Sequence, residues 1–153
     1  MADGKTHDLF GIGSAIATSI VAASTLPGGS PYFGPYVMGA ILGFTHLSPD
    51  IDLPQSRPSQ RWSLLSFAWH PLRSMTRHRG ITHAPFVGSA VMVGYLGMWV
   101  MAIAILTGHD VMPWVQDFLF WQGLLAFYVG VTMQQFVHLA LDGILIKRLL
   151  GGK

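Results

Sequence analysis

Residues 85–107 read PFVGSAVMVGYLGMWVMAIAILT, an uninterrupted apolar run without one charged side chain. A helix that crosses a bilayer needs about 20 apolar residues, with a lower limit near 17. This run is therefore read as a membrane span. Working outward, similar stretches lie at about 118–141, 33–48 and 9–26. The 118–141 stretch is long enough even with Gln122, Gln134 and Gln135 in it, 9–26 is adequate, and 33–48 is short. Pro27-Gly28-Gly29-Ser30-Pro31 stops the first stretch. Strand-like alternation and internal repeats are absent. The expected fold class is all-α: one domain over 1–153, a four-helix integral membrane bundle with a cytoplasmic amphipathic loop or helix between helices 2 and 3.

Composition supports a lipid-facing exterior. Of 153 residues, 51% are hydrophobic and only 10% charged, and mean hydropathy is +0.46. Soluble domains carry about 25% charged residues. The seven acids are all Asp, and the chain has no Glu, Asn or Cys. Disulfides, thiolate metal sites, cysteine nucleophiles and N-glycosylation are excluded. A general base has to be Asp, His or a metal-bound water. The 9–26 stretch also resembles a secretory signal, with Lys5 before it and Ala22 and Ser24 near its end. Its Gly, Ala and Ser content fits a packed membrane helix better. The basic balance next to apolar spans points to anionic headgroups and membrane lipid as partners, and not to nucleic acid.

Four crossings put both termini and the 48–83 loop on one side. All nine basic residues fall there: Lys5, Arg57, Arg61, Arg73, Arg77, Arg79, Lys147, Arg148 and Lys153. Basic residues stay cytoplasmic, so the expected location is a bacterial inner membrane with both termini inside. The same parity collects six of the seven histidines on that face, with His109 alone opposite. His7 and Asp8 precede the first span; His46, Asp50 and Asp52 leave the second. His78 and His83 precede the third, and His138 and Asp142 end the fourth. His138 and Asp142 are i,i+4 and share a helical face. Mixed imidazole and carboxylate donors suit zinc first, then manganese or iron. So many donors exceed one tetrahedral set, and a pair of ions would use them. In the 53–79 loop, Trp62, Leu64, Leu65, Phe67 and Trp69 alternate with Arg57, Arg61, Arg73 and Arg77. That pattern predicts an interfacial helix with tryptophans at headgroup depth and arginines on phosphates. Arg73, Arg77 and Arg79 are then expected to bind a headgroup or phosphoryl group.

Five pieces, Gly4-Lys5-Thr6-His7-Asp8, Ser48-Pro49-Asp50-Ile51-Asp52, Arg61-Trp62, His78-Arg79-Gly80-Ile81-Thr82-His83 and His138 to Asp142, occur in order along nearly the whole chain. As a set they resemble the YdjM-like family of LexA-binding, inner-membrane-associated metal-dependent hydrolases, and its uncharacterised metal-binding branch most closely. The resemblance implies a helical membrane protein with a metal centre and a hydrolase activity similar to zinc-dependent phospholipase C. On that pattern His7, Asp50, His83, His138 and Asp142 look like ligands, with Asp52 and His78 next; His46 has no firm counterpart.

The expected function is a metal-dependent hydrolase of a phosphoester at the cytoplasmic leaflet. Asp52 or Asp8 would accept the proton and Arg79 would steady developing charge. The rival is a non-catalytic metal-binding subunit whose ion staples helix ends together in a closed shell. Ion transport fits less well, because polar groups near the midplane are confined to the three glutamines. Gly-rich helices leave room for a homo-oligomer or a larger membrane complex.

Overall fold

The structure, a computed structural model, describes residues 4–27, 30–77, 80–84 and 86–143. Among these residues it is all-helical, with no strand. The α-helices are α1 (Gly4–Thr25), α2 (Phe33–Thr45), α3 (Arg57–Arg61), α4 (His70–Met75), α5 (Val87–Leu106), α6 (Met112–Gln116) and α7 (Phe118–Leu141). Short 3-10 turns occupy Pro49–Asp52, Ser63–Trp69 and Ile81–His83. Three helices are long and apolar enough to cross a membrane: Thr6–Thr25, Val87–Leu106 and Phe118–Leu141. Their outward faces expose Ile16, Ile20, Ile103, Leu106 and Leu125. Such contiguous apolar exposure is compatible with a membrane protein and unusual in a water-soluble one.

The second apolar stretch differs from the expectation. Its helix has 13 residues, about 20 Å at the usual rise, against a hydrocarbon core of about 30 Å. It stops three residues before 48 because Ser48 is extended ahead of Pro49, as a residue before proline is pushed out of the helical region. The end is sealed from the loop. Arg61 Nη1 donates to the Thr45 carbonyl at 2.9 Å, and Trp62 Nε1 donates to that of His46 at 3.0 Å. These are carbonyls that a helix terminus leaves without an intrahelical partner. At the other end of the chain, α1 begins at Gly4, before the apolar run, so His7 and Asp8 sit on its first turns and not ahead of it. Arg57 at 2.5 Å and Arg61 at 2.7 Å hold the Asp8 carboxylate.

The most extensive helix packing joins α2 and α7; α1 lies against both, and α5 touches α7. Backbone meets backbone at the α2–α7 crossing. A Cβ added at Gly39 would collide with the Phe127 carbonyl, and one at Gly130 with that of Tyr36. Small residues permit this approach where no hydrophobic drive separates helix from lipid.

The loop between α2 and α5 is not the single interfacial helix expected. It is α3, a 3-10 turn and α4 in succession. Proline at the first or second position of α3 and α4 starts each anew, and Ser63 has a positive φ of 47°. Trp69 turns inward, only 2% exposed, with ring centroids 5.2 Å from both Trp62 and Tyr95. Arg73 donates to the Ile51 carbonyl at 2.8 Å, to Ser59 Oγ at 3.0 Å and to the Ser66 carbonyl at 3.1 Å. Its burial pulls the guanidinium pKa below the ordinary arginine value. Side chains expected at headgroups therefore fasten the loop to the core, while Leu64, Phe67 and Met75 face outward.

Candidate metal centre

Three helix ends, those of α2, α5 and α7, meet at one end of the molecule. Asp50 lies on the turn after α2, and His83 on the turn before α5. His138 is in the last turn of α7, and Asp142 caps it. One donor atom from each lies within 4.8 Å of all the others. Asp50 faces both imidazoles, with Oδ1 3.3 Å from His83 Nε2 and Oδ2 3.6 Å from His138 Nε2. Asp142 Oδ2 is 3.5 Å from His138 Nε2, the i,i+4 approach that helix geometry dictates.

The rings are aimed from behind. Ser48 Oγ lies 3.3 Å from His138 Nδ1. Thr82 Oγ1 lies 3.2 Å from His83 Nδ1 and donates to Asp52 Oδ2 at 3.0 Å. Both histidines thus turn Nε2 inward with Nδ1 held by a neighbour, the arrangement metal-binding imidazoles require. Thr82 is itself fixed, because Gln135 Nε2 donates to its carbonyl at 2.6 Å and Ser89 holds the same glutamine.

His83 is fully buried, and the Asp142 carboxylate is 2% exposed against 27% for Asp50. Two carboxylates so enclosed repel each other and lose hydration. His138 Nε2 is buried without a hydrogen bond, and buried polar atoms rarely go unsatisfied. Burial opposes the charged form of Asp50, but the imidazoles of His138 and His83, 3.6 and 3.3 Å from its oxygens, outweigh it and hold that carboxyl well below the usual carboxylate range. Two imidazole nitrogens and two carboxylate oxygens fit a divalent zinc, manganese or iron ion.

The other expected site residues fall around this set. His7 Nε2 lies 3.2 Å from Asp142 Oδ1, and its ring stacks 4.4 Å from that of His138. It stands beside the four. Asp52 lies behind His83, 3.9 Å from Nδ1, on the side away from the inward nitrogen. Asp8 is paired with Arg57 and Arg61, Arg73 with backbone, and Arg77 is exposed. His78 and Arg79 lie outside the described residues. His46 bonds Thr45 Oγ1 at 2.8 Å and meets Trp62 edge-on.

A cleft of about 250 Å³ opens onto the centre, walled by His7, Asp8, Asp50, Arg57, Gln134 and His138 among others. Asp50 and His138 face it, whereas His83 and Asp142 are not part of its wall. The sequence reading did not single out Ser48, Thr82, Arg57 or Gln134 for this site. Only Gln134 carried a local signal, one helical turn before His138 on the same face.

With this geometry, relatives become informative. The chain matches, over residues 2–148, the family described as uncharacterized metal-binding protein (DUF2227). It belongs to that family. A protein of Aquifex aeolicus (strain VF5), described as an uncharacterized protein, is 35% identical over 123 residues, covering 71% of this chain and 87% of that one. No solved structure matches. The family description gives metal binding, and the four-residue cluster is a possible site for it.

Proposed function

We propose that this protein is a membrane-embedded, metal-dependent hydrolase of a phosphoester. The observation that carries the reading is the donor set of Asp50, His83, His138 and Asp142 opening through Asp50 and His138 into a polar cleft. In this reading the ion is zinc. When bound, a divalent cation supplies Lewis acidity and a water of lowered pKa. The chain's residues do the rest. Asp50 and His138 face the substrate while His83 and Asp142 anchor the ion. Arg57, on the cleft wall, attracts a phosphoryl oxygen. The proton acceptor is His7 or Asp8, and the two arginines on Asp8 favour His7, whose Nδ1 has no hydrogen bond. Asp52 positions His83 through Thr82.

The membrane reading places the centre at the cytoplasmic surface of a bacterial inner membrane. It is supported by the nine basic residues on one side of the inferred topology and by the apolar side chains of Leu64, Phe67 and Met75 beside it. In this reading α2, with the turn that follows it, completes a fourth crossing. The cysteine-free chain allows a clean test. Single cysteines at Gln55 and at His109 are probed with a membrane-impermeant maleimide in intact cells. Labelling at 109 and protection at 55 is expected; the reverse pattern refutes the orientation.

The rival reading, an ion that only ties helix ends together, draws on the four ligands coming from three helix ends. Turnover separates the two. Zinc-loaded protein is assayed on para-nitrophenyl phosphate and on short-chain phosphatidic acid, with Asp50→Asn as control. Hydrolysis lost in the variant supports the enzyme; no turnover of either compound by loaded protein refutes it.

A further inference from the structure

Gln134 is one helical turn before His138 and two before Asp142, so α7 presents an amide, an imidazole and a carboxylate in a row about 6 Å apart along its axis. The glutamine is 2% exposed, yet it lines the cleft that leads to the centre. Ser14 of α1, across the helix interface, places Oγ 2.7 Å from Gln134 Oε1 and 3.0 Å from the Gly11 carbonyl. The Gln134 amide nitrogen is buried and has no hydrogen-bond partner. Its neighbour Gln135 offers a contrast: both ends of that amide are used, on Ser89 and on the Thr82 carbonyl. A buried amide donor without an acceptor is a standing cost in a folded protein. At the wall of a cleft, a ligand oxygen can remove that cost.

We propose that Gln134 is a ligand-recognition residue: its Nε2, aimed by Ser14, donates to an oxygen of a phosphoryl group seated between the Asp50–His138 face and Arg57. The inference rests on the phosphoryl ligand of the reading above but needs no hydrolysis. The ligand atom has to be an acceptor such as an anionic or carbonyl oxygen, because Nε2 can only donate. Arg57 on the same wall selects the anionic one. The phosphoryl group belongs either to free phosphate or to a lipid headgroup, since the chemistry at Nε2 is common to both.

The test is phosphate binding by the full-length, zinc-loaded protein, read by titration calorimetry with inorganic phosphate. A second arm uses nanodiscs of phosphatidylcholine with and without phosphatidic acid. Gln134→Leu is expected to weaken binding about tenfold, with unchanged zinc stoichiometry and unchanged thermal midpoint. Gln134→Glu, which replaces the donor with a charge that repels phosphate, is expected to abolish it. Should the leucine variant fail to fold, Ser14→Ala leaves the amide unaimed and is expected to give an intermediate loss. A loss in both arms identifies free phosphate as a sufficient ligand, and a loss only in nanodiscs identifies the lipid; either supports the proposal. Wild-type affinity in the folded leucine or glutamate variant, or in Ser14→Ala where those do not fold, overturns it, as does a loss in a folded variant that merely follows loss of zinc. No phosphate binding by the wild type in either arm also overturns it. Gln134-dependent binding without any turnover leaves it standing and removes the hydrolase reading alone.

Discussion

Asp50 and Asp52 are two residues apart in an Asp-Ile-Asp motif, yet the fold gives them different tasks, and their asparagine variants measure the difference. Asp50 offers both oxygens to the inward Nε2 atoms of His83 and His138. Asp52 is 3.9 Å from the opposite nitrogen of His83, beyond hydrogen-bond length, and Thr82 bridges the gap with contacts of 3.0 and 3.2 Å. Structural zinc binding is worth about 10–16 kcal/mol. Divided over four ligands this is about 2.5–4 kcal/mol each, or roughly 60- to 700-fold in affinity. Asp50→Asn is expected to lose that much. A partner behind a ligating histidine contributes about 10- to 100-fold, so Asp52→Asn is expected to lose less and to retain full stoichiometry. Because Asp52 acts through Thr82, Thr82→Val is expected to match Asp52→Asn, and the double variant to lose little more than either. Zinc affinity is read by competition with a chromophoric chelator at fixed pH. Asp52→Asn losing as much as Asp50→Asn, or additive losses for Asp52 and Thr82, would refute this division of labour.

Other expectations follow from the same coordinates. Removing metal with a chelator should lower the thermal midpoint, because a ligand at about 100 times its Kd stabilises by about 2.7 kcal/mol; an unchanged midpoint on scanning calorimetry contradicts a site joining three helix ends. Gly130→Val places a branched side chain against the Tyr36 carbonyl and should destabilise the α2–α7 pair by at least about 1–3 kcal/mol, seen as a lower midpoint in detergent. Arg73→Leu strips donors from the Ile51 and Ser66 carbonyls and should cost about 2 kcal/mol, with faster proteolysis of the 53–75 loop as the readout. Lowering pH should weaken metal binding, since the ion must displace protons from the imidazoles; chelator competition across pH 5 to 8 that shows a flat profile would argue against histidine ligands.

The sequence by itself determined the helical class and the positions of the apolar helices. Hydrophobic runs with no alternation leave little choice, and residues 118–141 coincide with α7. It also determined which residues could be ligands, because a chain without Cys or Glu has only His and Asp to offer. His138 and Asp142 were legible as a pair, since helix periodicity alone puts i and i+4 on one face. Only the tertiary structure decided which remote donors share a centre. Whether Asp50 or Asp52 turns inward depends on the 3-10 turn at Pro49–Asp52 and on the hydrogen bonds that clamp it, and neither has a periodic signature. The loop arginines and tryptophans read as headgroup contacts because charge and aromaticity are visible in sequence. Arg61, Trp62 and Arg73 instead satisfy carbonyls left open where α2 ends early and where the turn cannot bond itself. Those carbonyls exist only once the chain has folded, so no reading of side-chain order alone could reveal what the arginines are for.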